Sequence, residues 1–80
     1  SKESIVISID AAGNYYLNDA PFTFDDLSKH LSDIAKEDSK QPISIRADGA
    51  VAYNKISHLL AEAANAGLID IRFITQTKHK

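Results

Sequence analysis

The sequence predicts an α+β fold, a two-layer sandwich in which a mixed four- to five-stranded sheet carries two helices on one face, in the order ββαβαβ. Three observations predict it. Apolar and polar residues alternate over Ile5–Ile9, Ile43–Ala47 and Ile69–Phe73, the period-two signature of strands with one buried face. Helical spacing of apolar residues fills the intervals 24–37 and from about 53 to Gly67, so residues 43–75 read as a βαβ unit with parallel strands and a right-handed crossover. Strands covered on both faces would not need to alternate, which places both helices on one side.

Each element has its own signals. Ile5, Ile7 and Ile9 point one way and Ser4, Ser8 and Asp10 the other, with Val6 among them. Ala11-Ala12-Gly13-Asn14 supplies a turn, Tyr15-Tyr16-Leu17 a short second strand, and Asn18-Asp19-Ala20-Pro21 a stop. Thr23 is a good N-cap, with Asp26 in the capping-box position and Phe22 and Leu27 placed as a hydrophobic staple. Phe24, Leu27, Leu31 and Ile34 continue that helix as a stripe, and Asp25 and Asp26 face the positive end of its dipole. The polar run 37–41 and Pro42 end it.

Ile43, Ile45 and Ala47 then alternate with Ser44, Arg46 and Asp48, giving a third strand with one wet face. Asp48-Gly49 turns the chain, with Val51 expected to pair briefly afterwards. The second helix starts near Tyr53 or Asn54 and buries Ile56, Leu59, Leu60 and Ala63. Gly67 fits the C′ position with Leu68 folding back over it. In the last strand Ile69, Ile71 and Phe73 are expected inward, Asp70 and Arg72 outward. The structural anchors are therefore Thr23, Gly49, Leu59 and Gly67.

Size and composition bound the function. Eighty residues make one domain, 1–80, and a chain of this length buries only about 60–65% of its unfolded surface, leaving little for a deep cleft. There is no cysteine, hence no disulfide framework and no thiolate metal site. Nine basic against eleven acidic residues, net −2, argue against a nucleic-acid surface. The charges are unevenly spread: carboxylates crowd 25–38, while Lys78 and Lys80 close the chain. No apolar run is long enough to span a membrane, no signal peptide is evident, and a start without Met reads as a processed or excised fragment.

The chemical constellations are thin. Ser57 and His58 are neighbours with Glu62 nearby, but adjacent helical residues point about 100° apart, a poor geometry for nucleophile and base. His58 with Glu62, and Asp26 with His30, offer two metal ligands each where a zinc site needs three or four. The isolated glycines at 13, 49 and 67 form no phosphate loop. We expect no catalytic residue, no metal and no cofactor, and a binding module rather than an enzyme. A small mixed sheet has open rims that can receive another strand. Tyr15, Tyr16 and the 69–75 strand are the expected rims, with residues 1–5 a candidate donor. The uncovered face would carry Ser44, Arg46, Asp70 and Arg72.

The run Ile45-Arg46-Ala47-Asp48, then Val51 and Tyr53, the apolar helix 56–64, Ala66-Gly67 and the last strand together resemble the periplasmic domain of the ExbD/TolR family. The N-terminal half fits as well, through Ile5–Ile9, Gly13-Asn14, and Asn18 to Pro21 before Thr23. The resemblance covers about 75 residues, in the order and spacing of these landmarks, and Arg46-Ala47-Asp48 followed by Val51 and Tyr53 lies closer to ExbD than to TolR. It implies a Gram-negative inner-membrane protein whose single membrane helix precedes this periplasmic domain. It also implies a homodimer, ExbB-like and TonB-like partners, and use of proton-motive force for transport through outer-membrane receptors. The partner-binding candidates are Tyr15, Tyr16, Arg46, Asp48, Tyr53, Ile69 and Arg72. Gly49-Ala50 replaces the family's commoner lysine after the aspartate. The alternatives are a TolR-like envelope-maintenance subunit and a free-standing small-ligand or peptidoglycan-binding domain.

Overall fold

The computed structural model describes residues 2–75. The elements are β1 (Ile5–Ile9), β2 (Tyr15–Leu17), β3 (Ala20–Phe22), α1 (Phe24–Glu37), β4 (Ile43–Ala47), α2 (Tyr53–Ala66) and β5 (Ile71–Thr75). They build one five-stranded sheet in the order β3-β2-β1-β4-β5. β1 pairs antiparallel with β2, and β2 with β3, whereas β4 runs parallel to both β1 and β5. The α+β sandwich and its mixed sheet follow the sequence expectation, with one strand added.

That strand is β3. The sequence signals at Asn18-Asp19-Ala20-Pro21 read as the end of the hairpin, but they make a second, tighter one. Asn18 and Asp19 adopt φ of 47° and 75°, and a two-residue hairpin turn with both central residues at positive φ matches the twist of its strands. Asn and Asp tolerate this conformation better than other non-glycine residues. Asn18 also locks the turn onto β1, donating its N–H to the Val6 carbonyl at 2.9 Å and accepting from the Val6 N–H at 3.1 Å through its side chain. Pro21 is accommodated because β3 is an edge strand.

α1 begins as its cap residues dictate: Thr23 is extended, and its hydroxyl accepts from the Asp26 N–H at 3.1 Å. Phe22 sets its ring edge-on to His30, with centroids 5.4 Å apart. α2 ends in the arrangement expected of Gly67. Its φ is 104°, its N–H reaches the last-turn carbonyls of Ala63 and Ala64, and the Leu68 N–H returns to the Ala63 carbonyl at 3.2 Å. Gly49 plays a lesser part. It is not among the glycines at positive φ, and its turn is closed instead by the Asp48 carboxylate accepting from Ala50 and the Asp48 carbonyl from Val51. Val51 is thus part of that turn and not of a strand.

The core lies between the helices and one sheet face. Ile7, Leu27, Leu31, Ile43, Ile45, Leu59 and Ala63 are wholly inaccessible, and Ile9, Tyr15, Leu17, Ala47 and Leu68 nearly so. The strand register puts Leu17, Ile7, Ile45 and Phe73 in one row across the sheet, all on the helix side. The two helices are tied to each other by the Ser28 hydroxyl donating to the Glu62 carboxylate. Ile69 departs from expectation. It precedes β5, is 69% exposed, and sends its N–H to the Ser39 carbonyl, so the strand begins two residues later than its alternation suggests.

At Gly67 a Cβ would meet Ala35 at an ordinary 3.9 Å. The strain of a substitution there comes from φ and not from space. Gly67→Val is expected to destabilise the domain by about 1–2 kcal/mol, the cost of left-handed backbone for a residue with a Cβ. Gly67→Asn should cost less. Urea midpoints of the two variants check this, and equal midpoints would contradict it.

Candidate functional site

The two rims of the sheet differ in kind. β3 is three residues long and contains Pro21, features that blunt an edge against strand pairing. It also covers β2, so Tyr15 and Tyr16 sit one strand inside the rim and not on it. Tyr15 is buried in the core, its ring 5.4 Å from that of Phe24 and its hydroxyl 3.4 Å from the Lys55 carbonyl. The sequence reading of a tyrosine rim is therefore corrected: these residues face the helices and the open face, respectively.

β5 is the other rim, five residues long. Its hydrogen-bonding parity follows from one contact. The Ile43 N–H donates to the Asp70 carbonyl at 2.9 Å, and Ile43 stands opposite Ile71. In a parallel ladder bonding residues alternate along each strand. Arg72 and Ile74 therefore turn their N–H and C=O groups toward β4, while those of Ile71 and Phe73 point away from it, on the side where no further strand pairs among the described residues. Exposed apolar side chains gather at the same place: Ile69 precedes the strand, Phe73 is 41% exposed and Ile74 45% exposed. An open, apolar, unblunted edge is a template for another strand.

The remaining candidates fall into three places. Arg72 lies on β5 and forks onto Asp70, with contacts of 3.2 and 3.3 Å. Tyr53 stands 76% exposed in the first turn of α2. Tyr16, Arg46 and Asp48 come together on the uncovered sheet face, where with Ser8, Asp10 and the ends of β1 and β4 they line a recess of about 220 Å³. Sequence reading named all three without joining them, and it missed Asp10. The Asp10 carboxylate accepts from the N–H groups of Ala12 and Asn14, from the Asn14 amide and from the Tyr16 hydroxyl at 2.9 Å. The Asx-like spacing Asp10-Ala-Ala-Gly was the available signal.

Residues 2–5, the described part of the expected strand donor, are instead tied to their own domain. Lys2 Nζ lies 2.7 Å from Asp38, and the Glu3 carbonyl accepts from the side chain of Gln41, which is buried. Ile5 begins β1 in the middle of the sheet. The basic Lys78 and Lys80 lie outside the described residues.

Two carboxyls record these contacts. Donation from the Asn14 backbone, ahead of its other hydrogen bonds, holds Asp10 below the usual 3.8, and the Lys2 ammonium does the same for Asp38. A carboxyl whose folded pKa is depressed adds stability above its unfolded pKa and loses it as pH falls through the folded value. Stability is therefore expected to hold through neutral pH and fall below 3.8. Urea midpoints measured down through that range check it. A domain that gains stability on acidification would contradict it.

The fold and this edge define a small two-layer α+β domain with one blunted and one open sheet rim. The family model described as "Biopolymer transport protein ExbD/TolR" matches residues 1–78, and the chain belongs to that family. Among similar curated proteins, "Biopolymer transport protein ExbD" of Neisseria gonorrhoeae is 29% identical over 80 residues, covering 96% of this chain and 56% of that protein. "Biopolymer transport protein exbD1" of Xanthomonas campestris pv. campestris (strain B100) is 28% identical over 76 residues, covering 95% and 54%. ExbD of Pseudomonas aeruginosa is 27% identical over 74 residues, covering 92% and 56%. The chain thus spans about half the length of the curated relatives it matches. Among the described residues no helix is long and apolar enough to cross a membrane.

Proposed function

We propose that this chain is the periplasmic interaction domain of an ExbD-like subunit in a proton-motive-force-driven complex serving TonB-dependent outer-membrane transport. Family membership supports the biopolymer-transport assignment, and the curated relatives that it matches carry the ExbD name. On this reading the domain is non-catalytic and works by association. It sits on the periplasmic side of a Gram-negative inner membrane, as a homodimer in company with ExbB-like and TonB-like proteins. The observation that carries the reading is the β5 rim, where the outward backbone of Ile71 and Phe73 adjoins exposed Ile69, Phe73 and Ile74.

Strand addition suits such a domain. It satisfies backbone groups that the fold leaves unpaired and needs no deep pocket. Affinity need not be high, because tethering within one membrane assembly raises effective concentration. If the occupant is a second copy running antiparallel, parity allows registers centred on Phe73 or on Arg72, and charge favours the first. The first sets Arg72 opposite Ile74 of the other copy, whereas the register centred on Arg72 sets like charges face to face.

The test is a titration of the labelled chain with extended peptides from a TonB periplasmic region, followed by backbone amide shifts, alongside a measurement of its self-association. The expected result is perturbation at 69–75, by peptide or by a second copy. Perturbation confined to the helical face, or no response from a chain that stays monomeric, would overturn the reading.

A further inference from the structure

β1 and β4 are parallel neighbours, but the chain leaves them in opposite directions. After β1 it turns back through Asp10–Asn14 into β2, on one side of the sheet; after β4 it leaves through Asp48–Ala52 and α2 for β5, on the other. Such a divergence opens a crevice outside the carboxyl ends of the two strands, and in open α/β sheets that crevice is where ligands bind. Here it coincides with the 220 Å³ recess.

The recess has opposed charges. Arg46 is on the uncovered face of β4, opposite Ser8 of β1, and Asp48 follows the end of that strand; both line the recess. No ion pair among the described residues engages either of them. Asp48 Oδ1 accepts from the Ala50 N–H. The wall opposite is the Tyr16 ring, whose hydroxyl is held on Asp10. Asp10 has its oxygens occupied by four donors, so it shapes the wall and the local field without needing a ligand. An anion alone would meet Arg46 but also two carboxylates. A cation alone would meet the carboxylates but also the guanidinium. One short molecule carrying a carboxylate and an ammonium satisfies both ends.

We infer that the recess between the ends of β1 and β4 is a binding site for a short zwitterionic amino-carboxylate, with its carboxylate on Arg46 and its ammonium on Asp48. The Tyr16 ring and the backbone of Ile9 and Ala47 form the floor against which its carbon chain lies. This site is separate from the β5 rim and does not depend on strand addition. Because it is open and exposed to solvent, its affinity is weak, on the order of millimolar.

The test uses the labelled 80-residue chain and 4-aminobutyrate, with butyrate and butylamine as single-charge analogues of the same length at matched ionic strength. Saturable amide shifts are expected at 8–10, 16 and 46–48 with 4-aminobutyrate, and only a small fraction of them with either analogue. Arg46→Gln and Asp48→Asn should each weaken binding about tenfold, a loss of about 1.4 kcal/mol. Lys29→Ala, on α1, should leave it unchanged. Either of the two charge variants suffices if the other fails to give a folded spectrum. A parallel titration with dialanine assigns the natural ligand, the stronger response marking a free amino acid or a peptide bearing both its ends. Equal response to the single-charge analogues, no response to either zwitterion, or undiminished binding in folded Arg46→Gln would overturn the site. Amides 8–10 and 16 report this site, and the outward Ile71 and Phe73 amides report strand addition, so failure here and failure of strand addition are told apart.

Discussion

Leu59→Ala and Ile45→Ala are each expected to lower the unfolding free energy by about 2–4 kcal/mol, from lost burial plus the cavity left behind. Both side chains are wholly inaccessible. Leu59 is the buried leucine of α2, and Ile45 is the central residue of the central parallel strand, opposite Ile7 on one side and Phe73 on the other. Neither neighbourhood can collapse easily, because strands on both sides fix Ile45 and two layers meet at Leu59. Domains are stable by only about 5–15 kcal/mol in all, so either variant removes a large share. In a domain of this size each kcal/mol lowers the melting temperature by about 4–8 °C. Urea and thermal midpoints unchanged within error would remove that residue from the core.

Phe73→Pro is expected to leave the sheet folded yet weaken partner binding at least about tenfold, that is by 1.4 kcal/mol or more. Parity is the reason. The Phe73 N–H points away from β4, so proline removes a donor that the fold does not use but an added strand needs, and edge strands tolerate proline in that orientation. The exposed ring is lost with it. Arg72→Pro is the counterpart. Its N–H belongs to the β4 ladder, so the same substitution one residue earlier should destabilise the domain itself. Melting curves and peptide titrations of the pair check both halves. A Phe73→Pro chain that binds undiminished would show that the partner does not use this edge.

Much of the fold is legible in the sequence because local and long-range signals agree. Thr23 caps, Gly67 stops, and the apolar residues of β1 and β4 lie on the face that the alternation assigns them, although Ser44 of the central parallel strand is buried too. β3 was illegible for a physical reason. Asn18, Asp19 and Pro21 are turn formers, and only the pairing of Pro21 with Tyr16 makes them a hairpin. Ile69 misled because its alternation continues that of Ile71, while its N–H is taken by Ser39 across the α1–β4 loop. The candidate site was legible residue by residue but not as a place. Tyr16, Arg46 and Asp48 are far apart in sequence, and only the parallel pairing of β1 with β4 brings the carboxyl ends of those strands together. Which rim is free depends in the same way on strand order, which the element sequence alone leaves open.

Amide hydrogen exchange at β5, with and without partner, tests the central claim most directly. In the free monomer the Arg72 and Ile74 amides should be protected by β4, while those of Ile71 and Phe73 exchange fast, since each points away from that ladder. On association the Ile71 and Phe73 amides should become protected together, with little change at Arg72 and Ile74. Association that leaves Ile71 and Phe73 as fast as in the monomer, or that shifts protection to α1 and α2, would contradict strand addition at this edge.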